Sequence, residues 1–205
     1  MTVNGKQYTA SSSSTTFSAA GLAFTAGNAN TITVIAASPP TNLTLTPPPE
    51  TFYPSTAFSL VGSATRTTCE SGLCAPVGSK IGYITPSGSA SLSLTAPSTS
   101  SSGSKFANVY FCNNDIAIAT SWTTGTNTRN MTIAVNGVVT RIEVPLSGRS
   151  SELFSAAKGW EDTGVFEVLL PGWTSGSNTV VVGNIYGADG LVNYGADFVG
   201  LDVLW

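Results

Sequence analysis

Three polar turns of the sequence combine aromatic rings with amide, carboxylate or guanidinium groups. Aromatic faces pack against the apolar C–H side of a pyranose, while the polar groups hydrogen-bond its hydroxyls. Binding residues commonly lie in turns that a rigid β-scaffold holds in place. We therefore predict a carbohydrate-binding site in these turns. Its candidate residues are Tyr110, Asn113, Asp115, Trp122, Arg129, Trp160, Asn184, Tyr186 and Tyr194.

Most of these candidates also have a structural interpretation. Trp122 and Trp160 could cap the ends of a hydrophobic core, and Tyr110 could belong to the core itself. Asp115 could serve only to form a turn. Asn184 is the stronger candidate, because a polar residue that ends an apolar strand needs a partner.

The sequence contains no histidine, which removes the commonest general base and the usual partner of a nucleophilic serine or cysteine. Paired carboxylates remain as a route to glycoside hydrolysis, but they must lie roughly 5–10 Å apart. No feature of the pattern fixes such a pair. We therefore predict that this chain is not itself an enzyme and has no catalytic residues. The carboxylates considered are Glu143, Glu152, Glu161, Asp162 and Glu167.

Composition excludes two classes of partner. Charged residues make up 9% of the chain, and the net charge is −3 without a lysine–arginine cluster. Because nucleic-acid binding needs a basic surface, we predict no nucleic-acid partner. No apolar run approaches the roughly 18 residues of a membrane span, so we predict no membrane partner. The serine-, threonine-, glycine- and asparagine-rich surface is common in secreted β-proteins, and we expect an extracellular piece of a larger protein.

The cysteines have separate predicted roles. Cys69 and Cys74 bracket a short loop, and we predict a local disulfide, with two reduced thiols as the alternative. Cys112 follows an apolar run and is predicted to be a buried free thiol. A zinc site is disfavoured because the third cysteine is distant and histidine is absent, so no metal ligands are predicted. N-glycosylation sequons begin at Asn42 and Asn130 and predict a glycoprotein.

Short β-branched and aromatic runs alternate with turn residues throughout, which predicts an all-β, antiparallel β-sandwich. The phrase Val-Asn-Gly occurs at 3–5 and at 135–137, and each copy predicts a hairpin. We interpret 1–37 as the β-rich tail of a preceding sandwich or a docking segment, 38–51 as a Pro-rich linker, and 52–205 as a complete sandwich. The predicted strands of that sandwich are 58–67, 80–83, 90–94, 106–112, 116–121, 130–135, 138–145, 165–170, 178–186 and 196–204.

Several stretches of 52–205 match one known family. They are LVGSA at 60–64, the Cys69/Cys74 pair, VGSKIGYI at 77–84, NND at 113–115, NG at 136–137, PLSGRSSELF at 145–154, GW at 159–160 and YGADFVGL at 194–201. On these residues the chain resembles the family 35 carbohydrate-binding modules. It is most similar to the C-terminal modules of fungal secreted α-galactosidases of glycoside hydrolase family 27.

The resemblance implies a galactose-binding-like jelly roll and a non-catalytic function. Such a module would target a secreted glycoside hydrolase to galactose-containing plant polysaccharide, with the catalytic domain in the same parent protein. It also implies that Asn184, just after the penultimate strand, contacts the sugar. The alternative is a structural β-sandwich of an α-galactosidase that binds no sugar of its own.

Members of this family commonly hold a structural calcium through a Glu-x-Glu sequence in the first strand. This chain has Pro54 and Thr56 at those positions, and Asp202 in the last strand is the acid that remains. Calcium prefers several charged oxygen ligands. We therefore expect no cofactor, with calcium as the alternative.

Overall fold

The structure is a computed structural model that describes residues 49–114, 128–147, 160–184 and 194–205, together with the backbone of five short strands within residues 1–33. The regular secondary structure of the described residues consists of strands and a single 3-10 turn, Ser55–Ala57. None of the described residues belongs to a helix long and apolar enough to cross a membrane.

The chain divides into two compact units, Met1–Pro47 and Pro48–Trp205. The described strands of the first unit form two small antiparallel sheets. One sheet has β1 (Thr2–Val3) between β2 (Lys6–Gln7) and β5 (Ile32–Thr33), and in the other β3 (Ser11–Ser13) pairs with β4 (Thr16–Ser18).

The second unit consists of two antiparallel sheets that enclose one core. Its strands are β6 (Glu50–Pro54), β7 (Ser59–Val61), β8 (Thr65–Thr68), β9 (Ser79–Gly82), β10 (Ser89–Thr95), β11 (Gly103–Cys112), β12 (Arg129–Val135), β13 (Val138–Val144), β14 (Gly164–Trp173), β15 (Ser177–Gly183) and β16 (Asp197–Leu204). One sheet has the order β13-β12-β15-β10-β7, and the other has β14-β11-β16-β9-β8 with β6 paired to β16. The prediction of an all-β sandwich is confirmed.

Strand alternation selects the core residues. In β12, Met131, Ile133 and Val135 are buried, as their alternation in the sequence predicts. Phe198 of β16 packs edge-on against Phe58, with ring centroids 4.9 Å apart. Each fully buried side chain of this size contributes about 1.5–3 kcal/mol through burial.

The second Val-Asn-Gly phrase forms the predicted hairpin between β12 and β13. Val135 pairs with Val138, and φ is +51° at Asn136 and +83° at Gly137. Positive φ at both central residues is the geometry that suits the twist of a two-residue hairpin.

The strand predicted at 58–67 is instead two strands in different sheets. Gly62 interrupts it with a φ of +65°, and a Cβ at this position would collide with the carbonyl oxygen of Ser87. The turn sends β7 into one sheet and β8 into the other. The sequence analysis missed this turn, although a glycine inside a strand pattern signals a bulge or a close backbone approach.

The last two residues of the linker predicted at 38–51 belong to a strand instead. Glu50 and Thr51 belong to β6, and Thr51 pairs with Val203 of β16. The remainder at 38–48 and the predicted strand 116–121 lie outside the described residues.

Candidate functional site

One end of the second unit collects strand ends from both sheets. β9 ends just before Tyr83, β15 ends just before Asn184, and β12 begins at Arg129. Because neighbouring strands are antiparallel, their adjoining turns meet at this end. It is termed the site end and comprises residues 83–84, 113–114, 128–130, 145–147, 160–163, 184 and 194–197.

Two tyrosines form an exposed aromatic pair at the site end. Tyr83 is 60% exposed and Tyr194 is 45% exposed, and their ring centroids lie 5.9 Å apart at an interplanar angle of 78°. Tyr83 has a φ of +55°, which is uncommon for a bulky residue and tends to occur at functional sites. The sequence analysis selected Tyr194 but missed Tyr83, although Tyr83 lies in the matched stretch 77–84.

Asn184 lies beside the segment that carries Tyr83. Its Nδ2 donates to the carbonyl oxygen of Ile84 at 3.3 Å, and the Gly195 N–H donates to the same oxygen at 2.8 Å. The Ile84 carbonyl oxygen therefore joins the segments that present Tyr83 and Tyr194, and the side chain of Asn184 binds at this junction.

Arg129 connects Tyr194 to Trp160. The guanidinium carbon of Arg129 lies 4.6 Å from the centroid of the Trp160 ring. Its Nη1 donates to the carbonyl oxygens of Gly195 and Tyr194, at 3.3 and 3.5 Å. Since Arg129 is buried, it acts as a support for the aromatic residues through hydrogen bonds and a cation–π contact.

A buried ion pair completes this support. Lys80 Nζ lies 2.8 Å from Asp197 Oδ2 and also donates to the carbonyl oxygen of Trp160. Burial raises the pKa of the Asp197 carboxyl, and the charges of Lys80 and Arg129 oppose that rise. The pair fixes the start of β16 relative to the turn that carries Trp160.

Asn113 is at the site end, but the structure does not support its predicted contact with a sugar. The residue is fully buried, and its Nδ2 donates to the carbonyl oxygens of Val144 and Pro145, both at 3.1 Å. Its backbone N–H donates to Ser147 Oγ at 2.7 Å. Asn113 therefore joins the end of β11 to the segment after β13.

The structure places Tyr110 on a sheet face rather than among the turns. Its ring packs edge-on against Phe52, with centroids 5.2 Å apart. Burial raises the pKa of Tyr110, and the nearby charges of Asp202 and Glu50 raise it further. The remaining candidates, Asp115, Trp122 and Tyr186, lie outside the described residues.

The predicted disulfide between Cys69 and Cys74 is confirmed. Cys112 is a buried free thiol, as predicted, and burial raises its pKa to about 12. Nucleophilic chemistry requires the thiolate, so this thiol suits a packing role rather than a reactive one.

The first strand does not fit the calcium site that the resemblance implies. Pro54 and Thr56 provide no carboxylate there. Two backbone oxygens of the same segment already accept hydrogen bonds from Nη2 of Arg66, the Ser55 oxygen at 3.0 Å and the Phe58 oxygen at 2.6 Å. Within the described residues, no cluster of three or more acidic or cysteine side chains could hold a metal.

No protein-family model matches the sequence. The chain is 51% identical over 192 residues to a probable α-galactosidase D of Aspergillus niger, a match that covers 93% of this chain and 29% of that protein. Its fold is similar to a family 35 carbohydrate binding module from Clostridium thermocellum, with a TM-score of 0.55 and 17% identity over 76% of this chain and 98% of that one. The resemblance to family 35 modules is confirmed.

A similar fold occurs within a larger enzyme. An exo-β-1,3-galactanase from Phanerochaete chrysosporium, solved with β-1,3-galactotriose, matches 75% of this chain and 29% of its own length, with a TM-score of 0.52 and 24% identity. The present chain likewise spans 29% of the length of the A. niger relative. The chain thus has the fold of a family 35 module and spans less than a third of the length of each of these enzymes.

Proposed function

We propose that the second unit is a non-catalytic carbohydrate-binding module that holds a secreted fungal glycoside hydrolase on galactose-containing plant polysaccharide. The observation that carries this proposal is the exposed pair of Tyr83 and Tyr194. Large exposed aromatic side chains are costly to leave in water and often mark a binding surface. Here they adjoin Asn184 and the Trp160–Arg129 stack, which provide polar groups and a rigid base.

The chemistry of the pair suits a neutral sugar. A tyrosine ring offers an apolar face to the C–H side of a pyranose, and its hydroxyl can donate and accept hydrogen bonds. The charged side chains nearby, Arg129 and Lys80, are buried and already bonded within the protein. We therefore infer binding of uncharged galactosyl units rather than uronic acids.

The names of two relatives support galactose as the sugar. One is a probable α-galactosidase, and the other is an exo-β-1,3-galactanase solved with a galactose oligomer. In the proposed function, this chain recognises the same class of polymer that the catalytic domain of its parent protein acts on.

Affinity electrophoresis tests the proposal. The protein is run through gels that contain galactomannan, arabinogalactan or pectin. We expect retardation by at least one of the neutral polymers and none by pectin. Tyr83→Ala and Tyr194→Ala should each weaken retardation about threefold to tenfold, the effect of losing one stacked ring.

Val139→Ala is the matched control, because Val139 is 54% exposed on β13 and lies outside the site end. Its retardation should equal that of the unchanged protein. If no polysaccharide retards the unchanged protein, the alternative of a purely structural sandwich replaces this proposal.

Secretion and glycosylation are a second part of the proposal. Asn130 is a poor acceptor, since it lies within β12 and pairs with Glu143. We therefore propose Asn42 as the glycosylated position. Expression through a secretory pathway should give a form whose mass falls on enzymatic deglycosylation. The Asn42→Gln variant should lack that shift, and an unchanged shift would contradict the assignment.

A further inference from the structure

A second element packs against the turn that carries Trp160. This is the disulfide loop, defined as residues 69–78. The Cys74 N–H donates to the carbonyl oxygen of Glu161 at 2.7 Å. The Glu70 N–H donates to Oε2 of Glu161 at 2.9 Å. Glu161 is thus bonded to the loop through both its backbone and its side chain.

The disulfide loop is itself closed by local bonds. Cys69 N–H donates to the carbonyl oxygen of Gly78 at 2.9 Å, and Gly78 N–H donates to that of Cys74 at 2.8 Å. Cys74 has a φ of +50°, a conformation that a non-glycine residue keeps only when its surroundings impose it. The covalent link between Cys69 and Cys74 is such a constraint.

From Glu161, contacts continue to the exposed aromatic pair. Trp160 precedes Glu161 in the same turn, and its ring lies against the Arg129 guanidinium at 4.6 Å. Arg129 in turn donates to the carbonyl oxygens of Tyr194 and Gly195. The disulfide loop is therefore joined to Tyr194 through Glu161, Trp160 and Arg129.

We propose that Glu161 is a positioning residue of the sugar site and that the Cys69–Cys74 disulfide is needed for full sugar affinity. The loop, fixed by its disulfide, holds the turn at Glu161, and the turn holds Trp160 against Arg129. This inference rests on the proposed sugar-binding function, but its geometric part can be measured without a sugar.

Glu161→Ala removes the acceptor for the Glu70 N–H, whereas Glu161→Gln keeps a carbonyl oxygen at nearly the same place. We expect Glu161→Ala to weaken retardation by polysaccharide about threefold to tenfold, the equivalent of one hydrogen bond. Glu161→Gln should restore most of the affinity. Glu167→Ala is the matched control, because Glu167 is an exposed carboxylate on β14.

Opening the disulfide should have the same effect as Glu161→Ala. A dithiol reductant supplies two electrons and two protons, which convert the Cys69–Cys74 bond into two thiols while the reductant becomes a disulfide. Half-buried Cys69 gives the reductant access. Cys69→Ser should match the reduced protein and should no longer respond to the reductant.

Tryptophan fluorescence separates this inference from the proposed function. Glu161→Ala and reduction should each increase acrylamide quenching, and the increase should be absent when Trp160 is also replaced by phenylalanine. If quenching and affinity are unchanged in Glu161→Ala, or if Glu161→Gln is as impaired as Glu161→Ala, the inference is wrong. If the unchanged protein binds no polysaccharide, the proposed function fails, and quenching alone then decides whether Glu161 positions Trp160.

Discussion

The two ends of the sandwich use the same residue types for different purposes. At the end opposite the site end, Asn136 and Asn178 form a closed network next to the hairpin. Asn136 Nδ2 donates to Asn178 Oδ1 and to the Gly172 carbonyl oxygen, both at 2.8 Å. Asn178 Nδ2 donates to the carbonyl oxygens of Thr174 and Gly176, at 3.1 and 2.9 Å. This network, with Asn178 1% exposed, satisfies its own members.

The site end is not closed in this way. Tyr83 and Tyr194 remain exposed there. Asn114 is buried, and its Oδ1 has no hydrogen-bond partner among the described residues. A buried polar atom without a partner is costly, so natural proteins keep few of them. The difference between the two ends is that exposed aromatic rings accompany the strand-end asparagines only at the site end among the described residues, and this makes the site end the candidate for binding.

Asn178→Ala should have the largest effect on stability. It removes a buried side chain that accepts three hydrogen bonds and donates two, all of them partly buried. We expect the free energy of unfolding to fall by about 3 kcal/mol in urea denaturation. Affinity for polysaccharide should not change at a temperature where the variant is folded.

Asn184→Ala is the counterpart at the site end and should lose affinity with a smaller loss of stability. If Asn184→Ala is the more destabilised of the two variants and retains full affinity, the distinction between the two ends fails.

The buried thiol of Cys112, next to the site end, should make the free energy of unfolding depend on pH in the alkaline range. The folded pKa of Cys112 is raised to about 12 from the ordinary value of 9.0 by burial. Between these values the unfolded state binds fewer protons than the folded state, so stability falls as pH rises through the interval. The loss is at most about 1.4 kcal/mol per pH unit.

In the Cys112→Ala variant, the part of the stability loss at alkaline pH that comes from this thiol should be absent. The difference in free energy of unfolding between the variant and the unchanged protein should therefore change between pH 9 and pH 12. Tyrosines that titrate in the same range are present in both proteins and cancel in the comparison. Parallel stability curves would contradict the burial of this thiol.

Tyr83→Gly should separate stability from binding. Glycine adopts the φ of +55° without steric cost, whereas a side chain there costs about 1 kcal/mol. We expect the free energy of unfolding to rise by about 0.5–1 kcal/mol, while retardation by polysaccharide falls. Tyr83→Phe, which keeps the ring, should show neither the gain in stability nor the full loss of binding.

Added calcium should change the stability of the protein least among these tests. Arg66 donates to the carbonyl oxygens of Ser55 and Phe58, and carboxylates are absent from positions 54 and 56. We expect added calcium or chelator to leave the melting temperature unchanged, whereas Arg66→Met should lower it. A rise in melting temperature with calcium that chelator reverses would show that a calcium site exists.

The two copies of the Val-Asn-Gly sequence have similar strand pairings. Val3 pairs with Lys6 and with Ile32, and Val135 pairs with Val138 and with Val180. Each copy therefore places its strand between a hairpin partner and a third strand from later in the chain. This agreement supports the interpretation of 1–37 as the tail of another sandwich, which stays a prediction.

Candidate residues were harder to predict than strands. Trp160, Arg129, Asn184 and Tyr194 do lie together at the site end. Asn113, like Asn184, follows the end of a strand. Its side-chain amide, however, donates to the backbone carbonyl oxygens of Val144 and Pro145. Which partner an amide finds depends on segments that are distant in the sequence, and no local pattern contains that information.

The sequence by itself determined the sandwich class, the hairpin at Asn136, the Cys69–Cys74 disulfide and the alternation of core residues in β12, because these depend on spacings of a few residues. Only the tertiary structure decided that Tyr83 faces Tyr194, that Glu161 is held by the disulfide loop, and that Gly62 divides a strand between two sheets. Those contacts join residues that meet only when the two sheets pack, since burial and antiparallel pairing, rather than local preference, bring them together.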